Sequence, residues 1–490
     1  MSTLTTSQDH TGDPAGPGQR PHTGFRRGAL GFPGLIAQSI AVISPTMTAV
    51  LIIPLAFANA GQGTWLAYLF GTVMLLFVVL GLNRFAHRSA TAGSMYAYTG
   101  RGLGPGAGVL SGWTLIWSYL FIGVAGLSGF AVFSAQLLTS LGFHGSLPPV
   151  LYYAVSAAAC WALAYRDIRL SSLLALVLEG LSVLCILALA CVVLFSHGLP
   201  VDHGQLSLKG IRVSGISLAV VTCIFSLVGF ESATAMGSEA RDPLRTIPRA
   251  VVWSLLLTGL FFIVISYAEV YGTRHSAVSL AGLAAPLNTL SELFHVGWFR
   301  IPLSVGAMVS FFSLTLSCLN AGARIIQPMA RSTVFPRGLG RTHPSNATPH
   351  LAVTGYILLI LAVPVLLTAF GNDPLTVFND AGSLAAYGFL LAYFLISAAA
   401  PAYLRKLGEL RRRDLAVAVM AILCLLVPAV GSFYPVPAYP AIVFPYLFLG
   451  YLALGAGWLH TRRRRHRDLL ADIGTALERS LRPDPDATVA

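Results

Sequence analysis

Residues 222–250 read TCIFSLVGFESATAMGSEARDPLRTIPRA. This stretch begins as an apolar membrane segment, yet it places Gly229 and the carboxylate of Glu231 in the middle, where a lipid-facing helix favours neither. An ionisable group at bilayer depth is costly and usually faces a bundle interior or a water-filled cavity, and glycine relaxes the backbone beside it. The stretch therefore predicts a broken helix at a binding site.

The composition of the whole chain places this stretch in a membrane protein. The chain has 490 residues, of which 55% are hydrophobic and only 10% are charged, and its mean hydropathy is +0.73. About twenty apolar residues cross a bilayer as a helix, so the sequence predicts an all-α polytopic membrane protein with twelve transmembrane helices. The predicted spans, numbered 1 to 12 in chain order, are 30–57, 64–83, 107–138, 149–165, 171–195, 215–237, 250–271, 302–323, 350–370, 376–400, 415–432 and 438–459.

The charged residues indicate both the orientation and the places where function is concentrated. No Lys or Arg falls inside a predicted span, whereas four carboxylates do: Glu179, Glu231, Glu269 and Asp380. If both termini are cytoplasmic, only Lys209, Arg212, Arg274 and Arg300 lie outside, and the inner side holds 27 of the 31 basic residues. The positive-inside rule therefore predicts a multi-pass protein of the cell membrane with cytoplasmic N- and C-termini. In this orientation, the basic residues that give the net charge of +12 face the surface of the lipid bilayer. No nucleic acid partner is predicted.

Both ends of the chain have the composition of tails. Residues 1–24 are rich in Gly, Pro, Thr and Ser, which predicts a disordered cytoplasmic N-terminal tail. Residues 461–490 form a basic cytoplasmic C-terminal tail, in which Leu470, Ile473, Leu477 and Leu481 make an apolar stripe at helical spacing. The stripe predicts a helix lying at the membrane interface.

A second irregular stretch lies in span 1, where residues 43–48 read ISPTMT and Pro54 follows. Proline removes a helix hydrogen bond and excludes the preceding turn. Interrupted helices at spans 1 and 6, five spans apart, are the pattern of an inverted-repeat transporter whose site lies at the membrane midplane. The alternative is a pair of ordinary proline or glycine kinks.

Several blocks of sequence carry a family resemblance. They are GFES at 229–232, EARDP at 239–243, IPRA at 247–250, AGSMYAY at 92–98, and a set running from MAR at 329–331 to TP at 348–349. In these blocks, and in their order, the chain resembles the amino acid-polyamine-organocation permeases. The resemblance implies a five-plus-five inverted repeat over residues 25–400 (spans 1–10), accessory spans 11 and 12 within residues 401–460, and transport by alternating access.

The resemblance also implies a substrate site between the two broken helices. Helix 1 would offer backbone amides to a substrate carboxylate, and helix 6 would offer carbonyl groups to an ammonium group. The substrate-binding residues it implies are Ser44, Thr46, Met47, Thr48, Ala49, Phe225, Ser226, Leu227, Val228 and Gly229. Phe225 matches the aromatic gate that closes over bound substrate, and a core aromatic is the alternative.

Two departures from the family pattern bear on the substrate. Helix 1 reads Met47-Thr48-Ala49 where relatives commonly have glycines, and span 5 has no lysine, its only charge being Glu179. With buried acids and no buried base, the cavity would suit cationic substrates such as polyamines or basic amino acids, unless the acids are protonated. We expect Glu179 to be the proton-coupling group, the alternative being a neutral acid that is only hydrogen-bonded. Glu231 is expected to be structural or gating.

The sequence therefore favours a secondary active transporter for amino acids or organic amines, including polyamines, that is proton-coupled or an exchanger. A membrane-embedded enzyme is the first alternative, but it would need clustered catalytic His, Asp or Glu at a membrane face. A non-transporting receptor is the second. No nucleotide motif or metal-ligand spacing occurs, so no cofactor and no metal are predicted. The solute, the coupling ion and the oligomeric state are left open.

Overall fold

Helices occupy every predicted span in the computed structural model of the protein, which describes residues 28–89, 93–143, 145, 147–166, 168–196, 201–208, 211–274, 276, 279–283, 285–434, 439–465 and 468–479. The predicted N-terminal tail and the last eleven residues of the chain lie outside that part. The uninterrupted spans are Thr64–Ala86, Pro105–Ser140, Pro149–Arg166, Ile168–Phe195, Pro243–Thr273, Arg300–Arg331, His350–Ala369, Pro374–Lys406, Arg412–Gly431 and Phe444–Arg465. The all-α polytopic fold class is confirmed.

Length and hydropathy alone select ten spanning stretches among the described residues. One of the ten, Phe32–Ala86, is 55 residues long and contains both span 1 and span 2. A short 3-10 turn at Gly61–Gly63 separates these two spans. The helix Pro149–Arg166 is not among the ten, although it lies at predicted span 4.

Span 1 is interrupted where the sequence predicted it. Its first helix, Phe32–Ile43, ends at Ser44, whose φ of 50° and ψ of 76° are left-handed. A turn at Pro45–Met47 leads into a π-helical turn at Thr48–Ile52, and helix resumes over Ile53–Ala60. Pro54 lies in the first turn of that last segment, where its missing N–H costs little. We call residues 43–48 the helix-1 break.

Span 6 is interrupted in the same way. Its first helix, Val213–Leu227, gives way to extended backbone at Val228 (ψ of 151°). Gly229 follows with a φ of 108°, and a 3-10 turn continues over Phe230–Ala235. We call residues 228–229 the helix-6 break.

Spans 3, 8 and 10 pack closely because small residues lie where they cross. A Cβ atom at Gly126 of span 3 would lie 2.3 Å from Thr315 Oγ1 of span 8. A Cβ atom at Gly388 of span 10 would lie 2.2 Å from Ser118 Oγ of span 3. By contrast, the apolar windows of spans 11 and 12 are only 28% and 17% buried, against 72% for span 3, so these two spans lie at the periphery.

The apolar stripe of the C-terminal tail is partly covered by protein. The helix Leu469–Arg479 packs against the helix Ser94–Leu103, and Leu469 and Ile473 are fully buried. Our expectation of a helix with its stripe in the membrane interface is therefore wrong for Ile473. The side chains of Leu477 and Leu481 lie outside the described residues.

Candidate functional site

Glu179 of span 5 is buried at the helix-1 break, with 1% of its surface exposed. Its Oε1 accepts hydrogen bonds from the backbone amide and the hydroxyl of Thr46, both at 3.2 Å. Its Oε2 accepts a hydrogen bond from the Ser310 hydroxyl of span 8. The hydroxyls of Thr46 and Ser182 lie 2.7 Å apart, and those of Ser44 and Ser310 lie 3.2 Å apart. One carboxylate thus connects spans 1, 5 and 8.

The structure places Glu179 between spans 1 and 8. The sequence analysis missed that Glu179 accepts a hydrogen bond from the Thr46 amide. This amide is one of those expected to bind a substrate carboxylate. The positive end of the resumed helix 1 is therefore already facing an anionic side chain. The role of Glu179 in coupling stays a prediction.

Glu231 lies just after the helix-6 break and is also 1% exposed. Its Oε1 accepts a hydrogen bond from Tyr119 of span 3 at 2.7 Å, and its Oε2 accepts one from Tyr393 of span 10 at 2.5 Å. The amide of Gly229, freed by the break, donates to Glu231 Oε2 at 3.2 Å and to Tyr393 Oη at 3.3 Å. These contacts between helices are of the kind expected for a structural or gating carboxylate.

The helix-6 break packs against Val42, the residue just before the helix-1 break. A Cβ atom at Gly229 would lie 2.5 Å from Val42 Cγ1, so only glycine allows this approach at a φ of 108°. Ser39 of span 1 donates its hydroxyl to the Phe230 carbonyl at 2.7 Å and accepts the Ala233 amide at 3.1 Å. The half-helices flanking the breaks are thereby held together.

The remaining predicted binding residues cluster around these breaks. Met47, Thr48, Ala49, Ser226, Leu227 and Val228 are all buried. The Thr48 hydroxyl has no hydrogen-bond partner among the described residues, while Ser226 Oγ lies 3.4 Å from Tyr68 Oη. Phe225 is only partly buried, and its ring lies against span 10, where a Cβ atom at Gly382 would be 2.7 Å from Cζ. Phe225 therefore lies at the edge of the packed core and not fully inside it.

A buried ion pair was missed because predicted span 8 ended at residue 323, just before Arg324. Arg324 continues that helix and is fully buried. It forms a two-pronged pair with Glu239, in which Nε lies 2.7 Å from Oε2 and Nη2 lies 2.9 Å from Oε1. The expectation of no buried base was therefore wrong. The available signal was the hydrophobic sequence that resumes after Arg324, at Ile325, Ile326 and Met329.

The two other span carboxylates do not take part in these contacts. Glu269 of span 7 is 1% exposed, and neither of its carboxylate oxygens has a hydrogen-bond partner among the described residues. It lines a small apolar cavity with Leu287 and Leu290 of the helix Pro286–Leu293. Asp380 of span 10 is partly exposed.

Comparisons with known proteins agree with this architecture. The family model described as amino acid permease matches residues 34–459. The chain is similar to the branched-chain amino acid permease BcaP of Bacillus subtilis, at 24% identity over 88% of this chain and 86% of that protein. It is also similar to the low-affinity putrescine importer PlaP of Escherichia coli K12, at 25% identity over 66% of this chain and 71% of the importer.

A solved structure shares the fold. The crystal structure of MhsT in complex with L-phenylalanine matches with a TM-score of 0.58 and 15% identity. The match covers 84% of this chain and 100% of that one. At this identity the likeness supports the predicted fold and carries no statement about substrate.

Proposed function

Since the chain belongs to the amino acid permease family and is a secondary transporter rather than an enzyme, we propose that it moves amino acids across the cell membrane in symport with protons. The single observation that carries the proton part is the hydrogen bonding of Glu179 to both Thr46 and Ser310. Glu179 is bonded to both the helix-1 break and span 8, so its protonation can be coupled to the separation of these helices. Alternating access requires such a separation.

The substrate part rests on the two breaks. Helix 6 ends at Leu227, so its last carbonyl groups lack the amides of a following turn and suit an ammonium group. Apolar side chains at both breaks, Met47, Phe225 and Val228, suit an apolar portion of the solute. A relative named for branched-chain amino acids is consistent with this reading.

Organic amines are the second candidate, favoured by one observation. Because the Thr46 amide already donates to Glu179, a substrate carboxylate would have one donor fewer at the helix-1 break. A diamine needs no such donor, and a relative is named as a putrescine importer. Both candidates use the same site.

The orientation belongs to the same proposal. With both termini cytoplasmic, the Glu239–Arg324 pair and the docked helix Leu469–Arg479 lie on the inner side, and the outer helix Pro286–Leu293 lies opposite. The distribution of basic residues supports this orientation. A reporter fused to the C-terminus, active only in the cytoplasm, tests it.

Two measurements test the function. The first is a thermal-shift screen of the purified protein against the amino acids, putrescine and longer polyamines, because a ligand of the folded state raises the melting temperature. The second is uptake of the best ligand into proteoliposomes with and without an inward proton gradient. We expect a branched-chain amino acid to give the largest shift and to accumulate only with the gradient. Accumulation driven equally well without any proton gradient would contradict the coupling.

A further inference from the structure

A cleft opens where spans 2, 10 and 11 meet at one membrane face, away from the two breaks. Span 2 ends there at Ala86, span 10 ends at Lys406 and span 11 begins at Arg412. The cleft has two connected parts with volumes of about 240 Å³ and about 500 Å³. Both parts are lined by Arg84, Leu404 and Asp414.

The part of the cleft toward the membrane is apolar. Leu80, Ala400, Pro401, Val417 and Ala418 line it, and Leu80 is 43% exposed on the helix surface. A surface of this kind at the end of three spanning helices suits a hydrocarbon chain.

A buried polar side chain also lines this apolar part. Asn83 lines the cleft and is 9% exposed, and its amide donates to the Pro248 carbonyl at 3.3 Å. Its Oδ1, however, has no partner among the described residues. A buried acceptor without a donor is costly, so a ligand that supplies a hydroxyl group at this depth would satisfy it.

The part of the cleft toward the aqueous phase is basic. Four arginines, Arg84, Arg88, Arg411 and Arg413, line it against two carboxylates, Glu409 and Asp414. The two carboxylates are already paired: Arg84 Nη2 lies 2.6 Å from Asp414 Oδ1, and Arg88 Nη2 lies 2.5 Å from Glu409 Oε2. The guanidinium groups of Arg411 and Arg413 form no ion pair within the described part of the chain, which leaves two positive charges for a ligand.

We propose that this cleft binds an anionic glycerophospholipid, with its phosphate between Arg411 and Arg413, its acyl chain along Leu80 and Pro401, and a glycerol hydroxyl donating to Asn83. The order of groups along the cleft, from apolar to hydroxyl-accepting to cationic, matches the order of groups along such a lipid. Basic pockets between spanning helices are a general mode of lipid recognition. The bound lipid joins the peripheral span 11 to spans 2 and 10.

The test is a titration of detergent-purified protein with phosphatidylglycerol, followed by native mass spectrometry and by the melting temperature. Phosphatidylcholine and inorganic phosphate are titrated in parallel. The double variant R411Q/R413Q removes the two unpaired cations. The control R337Q/R412Q removes two exposed arginines that do not line the cleft, and one of them, Arg412, lies between the two substituted cleft arginines in the sequence.

We expect phosphatidylglycerol alone to remain bound and to raise the melting temperature. R411Q/R413Q should bind it about thirtyfold more weakly, from the attraction that two cationic side chains provide near an anionic headgroup, while the control binds like the native protein. Equal retention of phosphatidylcholine, an equal shift with inorganic phosphate, or equal binding by both double variants would each overturn the proposal. The arginines substituted in the two double variants are all exposed. Both variants should therefore melt like the native protein in lipid-free detergent.

Discussion

The backbone amide and the hydroxyl of Thr46 both donate to the same oxygen of Glu179, each at 3.2 Å. The two residues are 133 positions apart in the chain, and the contact joins the helix-1 break to span 5. A proton that neutralises this carboxylate would therefore weaken the bonds that hold the helix-1 break to span 5.

We predict that Glu179→Gln abolishes accumulation driven by a proton gradient but keeps downhill exchange. Glutamine retains one oxygen for the Thr46 donors but cannot gain or lose a proton. The measurement is uptake into proteoliposomes with and without an inward proton gradient.

Glu269→Gln is the matched control for that prediction. It also removes a buried span carboxylate, but one without hydrogen-bond partners among the described residues, so gradient-driven accumulation should persist. If Glu179→Gln still accumulates substrate when protons alone supply the driving force, Glu179 is not the coupling group.

Phe225→Ala should weaken substrate affinity and leave the protein folded. The ring is only partly buried, so its loss creates less cavity than the loss of a core ring. The control is Phe311→Ala, because Phe311 is fully buried and stacks on Phe133 at 5.5 Å. Removing a core phenylalanine costs about 3–5 kcal/mol. A Phe225→Ala protein that melts as early as Phe311→Ala but binds substrate normally would show a core residue instead of a gate.

Glu231→Gln should keep partial transport with an unchanged range of substrates. The carboxylate accepts from Tyr119 and Tyr393, and glutamine can accept from only one of the two hydroxyls, so we expect a loss of stability of about 1–3 kcal/mol. Melting temperature and competition by amino acids and amines measure the two effects separately. A change of preference from cationic to neutral solutes would instead identify Glu231 as a counter-ion of the substrate.

Gly229→Ala should abolish transport by distorting the backbone at the helix-6 break. The new Cβ atom would lie 2.5 Å from Val42 Cγ1, at a φ of 108° that alanine rarely adopts. Gly355→Ala in span 9 is the control, since a Cβ atom there meets nothing within 4 Å. Expression level and uptake are compared for the two variants, and normal uptake by Gly229→Ala would contradict the assigned break.

Breaking the Glu239–Arg324 pair from one side should destabilise the protein strongly. Both side chains are 1% exposed, so Glu239→Gln leaves an unpaired buried charge, which costs about 3–5 kcal/mol. The double variant Glu239→Gln with Arg324→Gln should recover part of that loss, and a double-mutant cycle measures the coupling.

Glu292→Gln is the control for the buried pair. It breaks the Arg300–Glu292 pair, whose side chains are about half exposed (46% and 57%), and should cost less than about 1 kcal/mol. Equal losses for Glu239→Gln and Glu292→Gln would mean that burial does not strengthen the Glu239–Arg324 contact.

The spans, the two breaks and the family could be predicted from the amino-acid sequence alone. Hydropathy over twenty residues, Pro45 after Ser44, and Gly229 beside Glu231 are local features, and the backbone responds to them locally. For the same reason the candidate binding residues could be predicted from their position in a motif, but their contact partners could not.

The contacts of the buried charged side chains could be read only from the tertiary structure. Thr46 and Ser310 lie 133 and 131 positions from Glu179, and Glu239 lies 85 positions from Arg324. Which carboxylate meets which donor depends on how the spans pack, and small residues such as Gly126 and Gly388 set that packing by allowing close approach. Glu179, Glu231 and Glu269 look alike in the sequence as lone acids in apolar spans. They differ because packing surrounds the first two with hydrogen-bond donors and leaves the third without any among the described residues.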